Sequence, residues 1–71
     1  MKRILVTGAS GQLGRAFIRK SREKYNVLGT GRKYSDLCPF KKGDITDRKF
    51  IKQTVDDYTP DVIVHFAAMT G

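Results

Sequence analysis

Three glycines, Gly8, Gly11 and Gly14, stand three residues apart near the start of the chain and directly follow the apolar residues 4–6. This pattern is typical of a strand that turns sharply into a helix, whose first backbone N–H groups are free to bind an anion. We expect Gly8 to permit the turn, Gly11 to leave room for a pyrophosphate, and Gly14 to let helix and strand pack closely. The pattern favours a phosphate-binding turn over a glycine-rich turn without a ligand.

The groups that would hold the anion are the hydroxyl of Ser10 and the backbone N–H groups of Gly11, Gln12 and Leu13. Neither Lys-Ser nor Lys-Thr follows Gly14, so the turn lacks the residues with which a Walker A loop binds a nucleotide and its magnesium ion. A nucleotide cofactor is therefore favoured over nucleotide hydrolysis.

Two cations, Arg32 and Lys33, follow the second apolar segment of the chain, and no carboxylate stands beside them. An acidic residue at this place would bind the ribose 2′-hydroxyl of NAD, whereas an arginine accommodates the 2′-phosphate of NADP. The pattern favours NADP(H), with NAD(H) as the alternative. In that alternative the two cations are surface charges and Asp36 serves the ribose.

Two aspartates and one histidine in the second half of the chain are further candidates. Asp47 is expected to cap a helix over residues 48–58. Asp44 could accept a hydrogen bond from an adenine amino group, with Ile45 against the ring, or could simply form a turn. His65 is the only histidine, which excludes a metal site with several histidine ligands. We expect it to lie within a buried strand and to serve the structure rather than catalysis.

The order of the predicted elements is that of a parallel α/β sheet. Strands are expected at residues 2–7, 26–30, around 39–41 and 61–68, and helices at 11–24 and 48–58. Right-handed crossovers would place the first strand centrally, between the second strand and the last one, with helices on both faces. Residues 1–71 are thus predicted to form the N-terminal part of a Rossmann domain, a truncated one, whose ligand lies at the carboxyl ends of the strands.

Periodicity also predicts which helix faces are buried. In the first helix Leu13, Ala16 and Phe17 share a face, and the stem of Lys20 extends it. The stripe of the second helix comprises Phe50, Ile51, Thr54, Val55 and Tyr58.

Composition narrows the function classes. Lysine and arginine number 14 against 7 acidic residues, which gives a net charge of +7. These cations are scattered and are not interleaved with aromatic residues, so a solvated surface is favoured over nucleic-acid binding. Cys38 is the only cysteine, which fits a cytoplasmic protein without an intrachain disulfide. The apolar run at residues 4–6 is too short for a secretory leader, and no segment could span a membrane.

Three stretches together resemble the opening of an extended short-chain dehydrogenase/reductase: residues 4–14, residues 43–47 and residues 60–70. The Gly-Gln-Leu-Gly form of the turn is most similar to the dTDP-4-dehydrorhamnose reductase branch. The resemblance implies pyrophosphate contacts from residues 10–13 and 2′-phosphate contacts from Arg32 and Lys33. It also implies adenine contacts from Asp44 and Ile45, and contacts with the central part of the cofactor from Phe66, Ala67 and Ala68.

The same resemblance implies an oxidoreductase that uses NADP(H) to reduce a nucleotide-linked 4-keto-6-deoxy sugar, and a homodimer is compatible with it. The family's catalytic Tyr-x-x-x-Lys pair is absent from these 71 residues, so we expect the catalytic groups elsewhere and no turnover by this segment alone. A nucleotide-sugar epimerase or dehydratase remains an alternative. A non-catalytic regulatory subunit, resembling that of methionine adenosyltransferase, remains another.

Overall fold

The computed structural model describes residues 1–66 and shows an α/β arrangement. Its elements, in chain order, are β1 (Arg3–Thr7), α1 (Gln12–Ser21), β2 (Asn26–Gly31), β3 (Phe40–Lys42), α2 (Arg48–Tyr58) and β4 (Val62–His65). The four strands and two helices match the predicted order. Helix α1 ends three residues before the predicted end at residue 24.

The four strands form one parallel sheet in the order β3-β2-β1-β4. Strand β1 is central, since Leu5 pairs with Leu28 of β2 on one side and with Ile63 of β4 on the other. The crossovers from β1 to β2 and from β3 to β4 run in opposite directions across the sheet. Right-handed connections therefore put α1 and α2 on opposite faces, and the predicted partial Rossmann fold is confirmed.

Strand β1 is buried on both faces, as its uninterrupted apolar sequence predicts. Ile4 and Val6 point to the face covered by α1 and pack in one cluster with Ile18 of that helix. Leu5, on the opposite face, is 0% exposed. Burying a leucine side chain completely stabilises a fold by about 2 kcal/mol, so β1 anchors the sheet from which the site residues project.

The buried face of α1 is rotated from the predicted one. Leu13 is 57% exposed, and Ala16 and Lys20 are exposed as well, whereas Gly14, Ile18 and Ser21 are buried. Phe17 is half-buried, so only this member of the predicted stripe faces inward. The cause is the close approach of helix and turn at Gly14, which must face the sheet and so directs the preceding Leu13 outward.

Helix α2 begins and ends as the sequence predicts. The Asp47 carboxylate accepts hydrogen bonds from the backbone N–H groups of Lys49 (3.0 Å) and Phe50 (3.4 Å). Thr59 then ends the helix in the left-handed conformation, with φ 49°, and donates its N–H to the Val55 carbonyl. The predicted stripe is confirmed, with one buried residue and four half-buried ones: Thr54, then Phe50, Ile51, Val55 and Tyr58.

Strand β4 lies at the edge of the sheet and pairs with β1. Val62 and Ile63 are 42% and 43% exposed there. His65 is exposed too, so its predicted burial is wrong, because an edge strand is covered on fewer sides than a central one. Within residues 1–66, neither helix has the length and apolar character needed to cross a bilayer.

Candidate functional site

The glycine turn lies between the carboxyl end of β1 and the start of α1. Gly8 has φ 67°, a backbone conformation that residues with a Cβ rarely adopt, so glycine is needed for the turn. The N–H of Ala9 donates to the Thr30 carbonyl at 2.9 Å and ties the turn to β2. This bond holds the turn, which follows β1, against the end of β2.

The helix packs against this turn at Gly14. A Cβ at this position would lie 2.5 Å from the Gly8 carbonyl oxygen and 2.9 Å from Ala9 Cα. Both neighbours are backbone atoms, which cannot move aside without opening the turn. Gly14 therefore has the role predicted for it, close packing of helix on strand.

The N-terminus of α1 has no side-chain cap, and no acidic residue lies in its first turn. The first hydrogen bond of the helix runs from the N–H of Arg15 to the Gly11 carbonyl, at 2.9 Å. The backbone N–H groups of Gln12 and Leu13 come before it and have no carbonyl partner within the helix. The positive end of the helix dipole lies at the same point. In α2, by contrast, the carboxylate of Asp47 occupies the equivalent place.

One predicted donor is used elsewhere. The N–H of Gly11 donates to the Gly8 carbonyl at 3.2 Å, because the tight turn closes on itself at this point. In this structure the Gly11 N–H therefore serves the turn, and what Gly11 offers a ligand is space. A Cβ on Gly11 would meet only the Gly8 oxygen, at 3.6 Å, so the space beyond this residue is open to a ligand.

Ser10 lies against the last residue of β2. A Cβ on Gly31 would be 2.9 Å from the Ser10 Oγ, so the missing side chain of this glycine leaves room for the hydroxyl. The hydroxyl of Ser10 therefore lies beside the end of β2, near the place where a ribose 2′-hydroxyl is held in NAD-binding sheets.

Arg32, the next residue, faces the loop that follows β3. Its guanidinium lies 3.6 Å from Asp44 Oδ2. The Asp44 Oδ1 accepts hydrogen bonds from the Thr46 N–H (2.9 Å) and hydroxyl (2.8 Å). These bonds, and secondarily the charge of Arg32, hold the pKa of Asp44 below its usual value. The carboxylate is thus ionised and fixed in place, with half-buried Ile45 beside it.

Lys33 points into a different space, a cleft of about 460 Å³ between α1 and the loop after β2. Its lining residues are Ser10, Arg15, Lys33, Tyr34, Ser35 and Asp36. Sequence reasoning did not single out Arg15, Tyr34 or Ser35. The sequence does offer one indication of Arg15, its position directly after the third glycine. A residue in the first turn of the helix lies close to the glycine turn, and therefore to Ser10.

The end of β4 closes the other side of the turn. The N–H of Phe66 donates to the Thr7 carbonyl at 2.9 Å, and the Phe66 ring lies 5.7 Å from the Phe17 ring of α1. The side chain predicted to meet the central part of a cofactor thus packs on the helix that follows the turn. Ala67 and Ala68, predicted for the same contact, lie outside the described residues.

A second cavity, of about 560 Å³, lies at the opposite end of the sheet beside Arg3, Asn26 and Cys38. It is larger than the cleft, but parallel sheets bind ligands at the carboxyl ends of their strands, so the glycine turn is the stronger candidate. Within residues 1–66, acidic, cysteine and histidine side chains form no group that could hold a metal ion.

Comparisons with known proteins agree with this geometry. Residues 4–71 match the profile of the NAD dependent epimerase/dehydratase family. An uncharacterized epimerase/dehydratase of Staphylococcus epidermidis is 41% identical over 78 residues, covering 97% of this chain and 24% of that protein.

Two solved structures are similar to this fold. The L-threonine dehydrogenase of Clostridium difficile is 32% identical, with a TM-score of 0.82 over 92% of this chain and 23% of its own. The Bordetella bronchiseptica enzyme WbmH, solved in complex with NAD⁺, is 28% identical, with a TM-score of 0.81 over 94% of this chain and 26% of its own.

The chain therefore spans about a quarter of the length of the proteins that it matches. The family match covers both helices and, except for Arg3, all four strands. The sheet order places the glycine turn where a dinucleotide-binding sheet has it. The chain belongs to the NAD-dependent epimerase/dehydratase family.

Proposed function

We propose that this chain is the cofactor-binding portion of an oxidoreductase that uses NADP(H). The observation that carries the proposal is the uncapped N-terminus of α1, which opens at the carboxyl end of the central strand. Strands β2 and β4 lie on either side of that point, so the chain reverses direction across the sheet there. Such a reversal leaves a crevice for a dinucleotide.

In this proposal each part of the turn has a separate role. The N–H groups of Gln12 and Leu13 hold the pyrophosphate, and Gly11 leaves room for it. Asp44 accepts a hydrogen bond from the adenine amino group, and Ile45 packs on the ring. The bound cofactor supplies or accepts a hydride.

The preference for NADP(H) over NAD(H) rests on the charges that follow β2. Gly31 contributes no carboxylate, and two cations, Arg32 and Lys33, follow it in the sequence, a pattern that accommodates a 2′-phosphate. NAD(H) is the competing cofactor, since the family is described as NAD dependent and WbmH was solved with NAD⁺.

For the whole protein we propose the reduction of a nucleotide-linked 4-keto-6-deoxy sugar, supported by the Gly-Gln-Leu-Gly form of residues 11–14. The family's tyrosine and lysine pair, which lies outside residues 1–71, would exchange a proton with the carbonyl or alcohol oxygen of the sugar. A second candidate is the oxidation of L-threonine, which is favoured by the structural likeness to L-threonine dehydrogenase at 32% identity.

The test uses the full-length protein. Calorimetric titration with NADPH and NADH should give tighter binding of NADPH; tighter NADH binding would refute the cofactor preference, and no binding of either would refute the cofactor role. Turnover is then followed by NADPH absorbance with a dTDP-linked 4-keto-6-deoxy sugar, and in the reverse direction with L-threonine and NADP⁺ or NAD⁺. Cofactor binding without turnover of either substrate would favour a regulatory role.

A further inference from the structure

The two adjacent cations after β2 face different parts of the molecule. Arg32 pairs with Asp44 at 3.6 Å, and that carboxylate is itself held by two hydrogen bonds from Thr46. Lys33 instead lines the cleft beside α1. Both residues lie in the bend that follows β2. In this structure their side chains are therefore directed to different neighbours and do not converge on one small anion.

The cleft around Lys33 supplies a different second cation. Arg15, from the first turn of α1, lies on its wall, and the hydroxyls of Ser10 and Ser35 lie on it as well. Ser35 is 9% exposed, and its Oγ accepts the Leu37 N–H at 3.5 Å, which holds the loop in its bend. Two cations and two hydroxyls are suitable donors for a phosphate monoester.

One carboxylate, that of Asp36, lines the same cleft. Its negative charge lowers the net positive charge of the cleft and opposes binding of a dianion. Asp36 therefore distinguishes two possible occupants of the cleft. If the cleft binds a phosphate, neutralising Asp36 should strengthen binding, because a repulsive charge is removed. If Asp36 instead accepts hydrogen bonds from ribose hydroxyls, neutralising it should weaken binding.

We propose that Arg15 and Lys33, across this cleft, form the subsite for the 2′-phosphate of NADP(H), and that Arg32 is not its principal cation. The inference rests on the proposed use of NADP(H). Ser10 joins the subsite to the pyrophosphate turn, since its hydroxyl lies against Gly31 while its neighbours form that turn. Arg15 thus determines which of the two dinucleotides is preferred.

The experiment compares Arg15→Gln with Arg19→Gln in the full-length protein. Arg19 lies one turn further along α1, is exposed and does not line the cleft, so this variant removes the same charge without touching the subsite. Affinities for NADPH, NADH and 2′,5′-ADP are measured by calorimetry. Loss of one charge-assisted hydrogen bond should weaken NADPH and 2′,5′-ADP about tenfold in Arg15→Gln and leave NADH nearly unchanged.

Lys33→Gln should behave like Arg15→Gln, Arg19→Gln like the parent protein, and Asp36→Asn should tighten NADPH. The inference is wrong if Arg15→Gln weakens NADPH no more than Arg19→Gln does, or if it weakens NADH equally. It is also wrong if Arg32→Gln shows the larger NADPH-specific loss, or if Asp36→Asn weakens NADH and leaves NADPH untightened. A parent protein that prefers NADH would overturn both the proposed use of NADP(H) and this inference. A parent protein that prefers NADPH, with no specific effect of Arg15→Gln, would overturn this inference alone.

Discussion

The hydroxyl of Thr7 lies 2.8 Å from Nδ1 of His65, across the carboxyl ends of strands β1 and β4. Thr7 is 0% exposed, whereas His65 is exposed, so the contact joins the buried central strand to the edge strand. The same threonine offers its carbonyl to the N–H of Phe66. This residue therefore aligns two strand ends beside the glycine turn.

The first prediction concerns this contact. Thr7→Val keeps the shape of the side chain and removes the hydroxyl, and should lower the free energy of unfolding by about 1 kcal/mol. Urea denaturation of the full-length protein measures the change. A double-mutant cycle with His65→Phe isolates the pair, and a coupling energy near zero would show that the two side chains do not stabilise one another.

The glycine turn offers a matched pair of substitutions. Gly14→Ala places a methyl group 2.5 Å from the Gly8 carbonyl, so the turn or the helix must move, and both stability and dinucleotide binding should fall. Gly11→Ala meets no atom closer than 3.6 Å and has φ −80°, so the fold should be retained while the added methyl blocks the proposed pyrophosphate site.

Thermal unfolding and NADPH titration distinguish these two outcomes. Gly11→Ala should melt within a degree or two of the parent protein and bind NADPH at least about tenfold more weakly, in line with the loss of close backbone approach. Unchanged NADPH affinity in Gly11→Ala would contradict the placement of the pyrophosphate at this turn.

Helix α2 should depend on its cap. Asp47→Ala removes the acceptor for two backbone N–H groups and should destabilise the protein by about 1 kcal/mol. Asp56→Ala is the control, because this residue is exposed near the other end of the same helix, where a negative charge is unfavourable. Chemical denaturation should show no loss of stability in the control. Equal losses in both variants would mean that general charge, and not capping, is responsible.

The thiol of Cys38 should react slowly at neutral pH. Burial raises the pKa of this thiol, and the Gly29 backbone and the charge of Arg22 offset the rise only in part. A raised pKa keeps the thiol protonated as the pH rises through the ordinary range, and the thiolate is the reactive form. Alkylation by iodoacetamide, followed by peptide mass spectrometry, should therefore accelerate at higher pH in the folded protein than in urea. Identical pH profiles would contradict the burial of the thiol.

Local sequence patterns were sufficient where the physical cause is itself local. The cap at Asp47, the glycine turn and the short strand around Phe40 are each specified by a few adjacent residues. The strand order also followed from the element order, because right-handed crossovers leave few arrangements for a parallel sheet. These features include the turn on which the proposed cofactor site depends.

The errors arose where distant segments compete for the same space. The inward face of α1 differs from the predicted one because Gly14 must approach the Gly8 backbone, which turns Leu13 outward. The N–H of Gly11, a predicted anion donor, donates to the Gly8 carbonyl within the turn. The predicted burial of His65 is wrong because its strand lies at the edge of the sheet.

The sequence by itself determined the parallel α/β fold and the place of the glycine turn, because periodicity, capping and glycine spacing act over a few residues. Only the tertiary structure decided how the charges near that turn are divided. It directs Arg32 toward Asp44 and places Lys33 beside Arg15. The reason is that side-chain direction depends on the path of the backbone and on the neighbours brought up by folding, which residue spacing alone does not specify.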